Sequence, residues 1–233
     1  METSYKNIGF FVVLILGFVV WGFFRTYFGL FPRFNGITTV QHFHGAMMLS
    51  WFALLIVQPF LIRFQQYEWH RKIGKLSYII APLVTISIFL AAKGQFQKMA
   101  SIITREENIG GMALNIPDMF AFAALYLLAM VNKKNTAYHM RYMIATSFLM
   151  LGPGTGRVFI MYGGMPFPLA IEYSNVISEI VTAAFLLYDI VKGKPYKPYL
   201  ITLIILLGMH LIWECQLSFW WQAFAGKIAT LFF

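Results

Sequence analysis

Apolar residues run along this chain in long, nearly unbroken stretches, and short polar segments between them collect most of the charge. A helix crossing the hydrocarbon core of a bilayer needs about 20 mostly apolar residues. Seven stretches approach that length: 8–24, 42–62, 76–92, 116–131, 143–162, 166–191 and 199–219. They are continuous runs without the dyad alternation of a membrane barrel. The pattern therefore predicts an all-α, polytopic transmembrane helix bundle of about seven helices. The stretch at 116–131 is short and that at 166–191 carries several polar residues, so six or eight spans also fit.

Some boundaries are legible. Before 8–24 only Lys6 supplies positive charge, the apolar core is long for a secretory signal, and no clear small-x-small site follows, which predicts a retained helix. Asn115, Ile116, Pro117 and Asp118 read as an N-cap, a first-turn proline and an acid at the positive end of the dipole. A helix is therefore expected to begin there, after a long connection over 93–115. Pro153, within Leu151-Gly152-Pro153-Gly154-Thr155-Gly156-Arg157, is expected to interrupt the fifth span. The break leaves either a wet cavity near Arg157 or a plain packing kink.

Composition agrees with the pattern: 59% hydrophobic and 12% charged residues, with a mean hydropathy of +0.68, leave too little polar surface to coat a water-soluble globule. The expected organisation is a single integral membrane domain over 1–233, multi-pass in the cell (inner) membrane, with the lipid bilayer as its partner. Lysine and arginine collect in alternate connections. Arg63, Arg71, Lys72 and Lys75 follow the second span, Lys133, Lys134 and Arg141 the fourth, and Lys192, Lys194 and Lys197 the sixth. By the positive-inside rule the N-terminus is inside and the C-terminus outside. Topology thus accounts for most of the +9 formal charge, and no basic domain is left for a nucleic-acid partner. With one cysteine, Cys215, the chain has no internal disulfide, thiolate cluster or covalent haem attachment.

The candidate chemistry lies in polar residues within or beside the apolar runs, where each costs free energy unless paired, ligated or hydrated. His42 and His44 point to opposite sides of the second span. His44 shares its stripe with Met48, Trp51 and Gln58 and is the expected inward residue, while His42 lies close enough to the interface to join it. Glu172, Asn175 and Glu179 share a face of the sixth span, and His210 and Glu214 a face of the seventh. With Arg157, these predict an outward-opening pocket lined by His44, Arg157, Glu172, Asn175, Glu179, His210 and Glu214, with Asp118 at the rim. The bland alternative is an Arg157–Glu ion pair that holds the bundle together. On the basic side, His70-Arg71-Lys72 and His139-Met140-Arg141 occupy equivalent positions, either as a short internal duplication or as ordinary interfacial residues meeting lipid phosphate.

The succession HFHG, VQPFLI, HRKIG, IPDMF, HMRYMIAT with PGTGR, and LLYDIVKGKPYKPY resembles a family of bacterial multi-pass membrane proteins with no established activity. The similarity covers most of 41–199. It implies the fold and the membrane location, and marks His70, His139, Asp118 and Arg157 as motif residues. HRKIG and HMRYM also resemble segments of small haem-associated and oxidase-assembly membrane proteins.

Three functions fit these features. In the first, a membrane redox or assembly protein binds haem b or a divalent transition metal through two histidine levels, His70 with His139 and His44 with His210. In the second, a membrane-embedded lipid hydrolase holds a metal ion on His44, His210, Glu179 and Glu214, with a carboxylate as general base. In the third, a small transporter or binding protein uses Arg157 and the acidic residues as a proton-coupled pocket.

Overall fold

A computed structural model describes residues 5–233. The described chain is helical without a strand. Six helical segments are long and apolar enough to cross a membrane, and the shorter α1 (Ile8–Phe24) makes seven. The protein is a multi-pass membrane protein. The six are α2 (Thr39–Arg63), α4 (Ser77–Met99), α5 (Arg105–Val131), the broken pair α6 (Thr136–Phe148) and α7 (Leu151–Gly163), α8 (Phe167–Val191) and α9 (Lys197–Glu214). Two more helices do not count among them: α3 (Tyr67–Gly74), beside the end of α2, and α10 (Phe219–Phe232). The end of the bundle at which α1 begins and the lysine-rich connections lie is called the basic end below, and the opposite one the far end.

Several helix starts have clear local causes. Thr38 caps α2 in a box with Gln41, and Thr104 caps α5 in a box with Glu107, each satisfying amide donors that the helix leaves free. The second box corrects the expected start at Asn115. Helix α4 continues to Met99, the connection shrinks to 100–104, and Pro117 and Asp118 lie inside α5. Proline in a membrane helix is tolerated where neighbours re-satisfy the backbone, so Pro117 was a misleading boundary signal. The final stretch is also corrected: α9 stops at Glu214, and the aromatic tail forms a separate helix.

Packing closes a ring. Helix α1 lies on α2, α2 on α4, α4 on α5, α5 on α9, α9 on α8, α8 on α7, and α7 returns to α1. Helices α1 and α7 approach closely, and a Cβ on Gly22 would collide with the Gly154 carbonyl. Helix α6 fills the middle. It touches α5, α9, α2, α8, α1 and α7, and Arg141, Tyr142, Ile144, Ala145, Thr146, Ser147 and Phe148 are all buried. Trp51 is fully buried against it and donates Nε1–H to Thr146 Oγ1 at 3.1 Å.

The predicted break falls at Leu149–Met150, just ahead of Pro153. Pro153 is the third residue of α7, a position whose N–H has no intrahelical acceptor. There the chain leaves the axis and α7 becomes a wall of the ring. Only the basic half of the ring is plugged.

The tail helix α10 covers the outside of the far half. Trp221, Ala225 and Ala229 pack with Ile109, Met112, Ala113 and Ile116 of α5 and with Trp213 of α9. Trp221 Nε1–H donates to the Ile109 carbonyl at 3.2 Å.

Candidate functional site

Where α6 ends, the inward stripes of the ring lose their covering. On α5, Phe122, Leu125 and Ala129 are buried, and the same stripe continues toward the far end through Asp118, Asn115 and Gly111 at helical spacing, all only half-buried. A Cβ built on Gly111 meets nothing within 4 Å. On α2 the stripe of buried Leu55 and Trp51 continues to half-buried His44. Together these positions mark the inward face of the far half of the ring that α6 leaves uncovered, called the recess below.

Three polar groups lie in this half of the bundle. His44 Nδ1 lies 3.0 Å from Ser87 Oγ on α4. The Ser87 hydroxyl already donates to the Val84 carbonyl at 2.7 Å, so His44 must donate its Nδ1–H to Ser87. Its Nε2 then carries the lone pair, and Arg157 is a charged neighbour acting on the ring. Asp118 is half-buried on the α5 stripe. Among the described residues it makes no hydrogen bond or ion pair. Arg157 donates Nη1–H to the Pro153 carbonyl at 3.2 Å and lies 4.0 Å over the Phe23 ring, with no carboxylate in ion-pair range among the described residues. The expected alternative of an Arg157–Glu pair is therefore not formed.

The acidic residues of α8 and α9 form a second group. Glu179 Oε1 accepts from His210 Nδ1–H at 2.8 Å, and Glu214 Oε1 stands 3.9 Å from His210 Nε2. Glu214 is exposed, and Glu172 and Asn175 are half-buried on α8. The single pocket read from sequence thus resolves into a recess with His44, Asp118 and Arg157 and an α8–α9 seam with Glu179, His210 and Glu214. His42 leaves the set altogether. It turns to the connection before α2, where Tyr27 Oη lies 2.9 Å from its Nδ1 and Phe34 packs edge-on at 4.9 Å between ring centroids.

At the basic end, His70 and His139 do come near one another. His139 donates Nδ1–H to the Ala129 carbonyl at 2.9 Å, and the Gln58 side-chain amide bonds His70 Nδ1. Burial pushes the His70 pKa below its ordinary 6.5, and the neighbouring His139 and Arg71 push it the same way. No three His, Cys, Asp or Glu side chains converge on a metal-holding arrangement among the described residues. The proposed ligand set His44, His210, Glu179 and Glu214 is accordingly divided between separate partners.

One polar cluster escaped the sequence reading. Arg141, expected among the exposed basic residues, is fully buried on α6 and forms a bidentate pair with Asp189 of α8. Nε to Oδ2 is 2.6 Å and Nη2 to Oδ1 is 3.1 Å. Tyr5 Oη–H donates to Asp189 Oδ1 at 2.8 Å, and its ring lies 4.8 Å from the guanidinium carbon. This lock fastens α6 to α8 at the basic end. The available signal was an aspartate inside an apolar run, in LLYDIVKGK, where a lone charge requires a partner.

Compared against protein families, curated proteins and solved structures, the chain matches none.

Proposed function

We propose that the protein binds, or moves, a small molecule bearing an anionic group, received in the recess at the far half of the bundle. The supporting observation is one of charge. Arg157 and Asp118 are both half-buried ionisable groups, and neither has an ion-pair partner among the described residues. A buried charge without a partner costs several kcal/mol, on the order of the cost of breaking a buried ion pair. A ligand with complementary groups removes that cost. Arg157 would meet its anionic group, and Asp118 and the His44 Nε2 lone pair would accept from its donors. The positive-inside rule puts the recess on the outer side, and the Arg141–Asp189 lock fastens α6 to α8 at the basic end. The motif resemblance that marks Asp118 and Arg157 fits the same reading.

The test is thermal stability of the detergent-purified protein with a panel of amino acids and small carboxylates, each against its neutral amide. One or more carboxylates should stabilise the wild type, and Arg157→Gln should abolish the effect. Asp118→Leu should stabilise the ligand-free protein by about 1–3 kcal/mol, because an unsatisfied buried group is removed. The proposal is refuted if no carboxylate acts and Asp118→Leu is destabilising.

A second reading, a haem b or transition-metal redox protein, draws on the histidine tautomers. His44, His139 and His210 are each held through an Nδ1–H bond, which leaves Nε2 as the ligating atom in the way second-sphere partners hold metal-bound imidazoles. Absorption spectra of the oxidised and reduced protein, with metal analysis on the same sample, decide it. A colourless protein after haem supplementation, with no stoichiometric metal, ends that reading.

A further inference from the structure

The seam between α8 and α9 holds a graded series of ionisable groups. Side-chain exposure falls from 53% at Glu214 to 21% at His210 and 15% at Glu179, so the series leads from the far surface toward the interior. The geometry points to a proton path, with Glu214 as the surface port, His210 as the carrier and Glu179 as the interior acceptor.

The chemistry follows from the imidazole tautomer. His210 Nδ1 faces a carboxylate oxygen at 2.8 Å, and a carboxylate can only accept, so the neutral ring bears its proton on Nδ1. Its Nε2 lone pair is then on the side of Glu214, 3.9 Å away, which is within reach of a small side-chain rotation or one bridging water. A proton delivered from the Glu214 carboxyl to Nε2 allows the Nδ1 proton to pass to Glu179. One proton leaves Glu214 and one arrives at Glu179. The ring is left as the Nε2–H tautomer, and rotation or the reverse transfer restores it. No oxidant or other reactant is needed.

The surroundings leave this path to these residues. Helix α9 packs against α8, α5 and α6. From α8 comes Glu179 and from α9 itself Glu214. Among the described residues, neither α5 nor α6 brings an ionisable side chain into hydrogen-bond or ion-pair distance of His210. Here Nε2 is left toward an exposed carboxylate.

The path is independent of what the recess binds, and its test uses no added ligand. In histidine-labelled protein in lipid nanodiscs, nitrogen NMR follows the His210 ring, assigned by its loss in His210→Asn. The wild type should show a hydrogen-bonded Nδ1–H. Glu214→Gln should slow exchange of the His210 protons with water about tenfold or more, the scale on which a positioned acid or base acts, while the Nδ1 signal persists. Glu214 is exposed, so this substitution leaves the packing undisturbed. Unchanged exchange in Glu214→Gln, or a wild-type ring protonated on Nε2 alone, overturns the proposal.

Discussion

Replacing Asp189 by Asn tests how the plug is fastened. In the native bundle both partners of the Arg141–Asp189 pair have no side-chain exposure. The asparagine keeps the shape and one carbonyl acceptor for the Tyr5 hydroxyl, but it removes the charge from beneath a guanidinium that cannot lose its proton. Two charge-assisted hydrogen bonds weaken together, at about 1.5–3 kcal/mol each when lost outright. Breaking a buried pair from one side costs about 3–5 kcal/mol overall, because the remaining charge is stranded. The double variant Arg141→Met with Asp189→Leu strands nothing and fills a similar volume, so it should lie within about 1–2 kcal/mol of wild type. Reversible unfolding in mixed micelles, run as a double-mutant cycle, measures these terms. If Asp189→Asn costs less than about 1 kcal/mol, or the double variant is as unstable as the sum of the single ones, the pair is not the fastening described here.

Three further outcomes are expected. Gly22→Leu drives a side chain into the Gly154 carbonyl and should cost about 1–3 kcal/mol or more through overpacking, read in the same unfolding assay. Thr104→Ala removes the Glu107 N–H to Thr104 Oγ1 half of the α5 capping box, leaving the backbone N–H of residue 104 on the Glu107 carboxylate, and should cost about 1 kcal/mol, with faster amide exchange confined to the first turn. His70 has a depressed pKa in the folded protein, so the unfolded chain binds more protons; stability should be full above pH 6.5 and fall as pH drops below it toward the folded value. His70→Gln should flatten that part of the curve, and an unchanged slope between wild type and variant would exclude His70 as its source.

The spans were legible because lipid imposes length and apolarity on each helix, and α1 and α8 agree with the pattern to within a residue. Helix ends were legible only where a local device was unambiguous. Thr104 and Glu107 form a capping box, but Asn115-Ile116-Pro117-Asp118 imitates a start more closely to the eye, and the sequence does not show that neighbouring helices support Pro117 in mid-helix. The inward face of α2 was readable from periodicity, which put His44 and Trp51 on one stripe and sent His42 the other way. The partners of charged residues were not readable in this manner. Arg141 looked like a topology marker because its carboxylate lies 48 positions away, and no periodicity connects them. Arg157 and the glutamates shared a depth and opposite sign, yet the ring order sets Arg157 against Phe23 and Glu179 against His210. Depth and helical face are properties of one helix; pairing belongs to the arrangement of several.

The short central helix also shapes the electric field across the bundle. Helix α6 has 13 residues and spans about 20 Å, against about 30 Å of hydrocarbon. If water from the far side fills the recess, a membrane potential falls mainly across the plug. Asp118 and Arg157 then sit near the potential of the far compartment, and a charged solute reaching them crosses little of the voltage. The Arg141–Asp189 lock lies in the steep part, where moving one charge through the full drop is worth about 2.3 kcal/mol per 100 mV. Voltage would thus bear on the lock far more than on the recess above it.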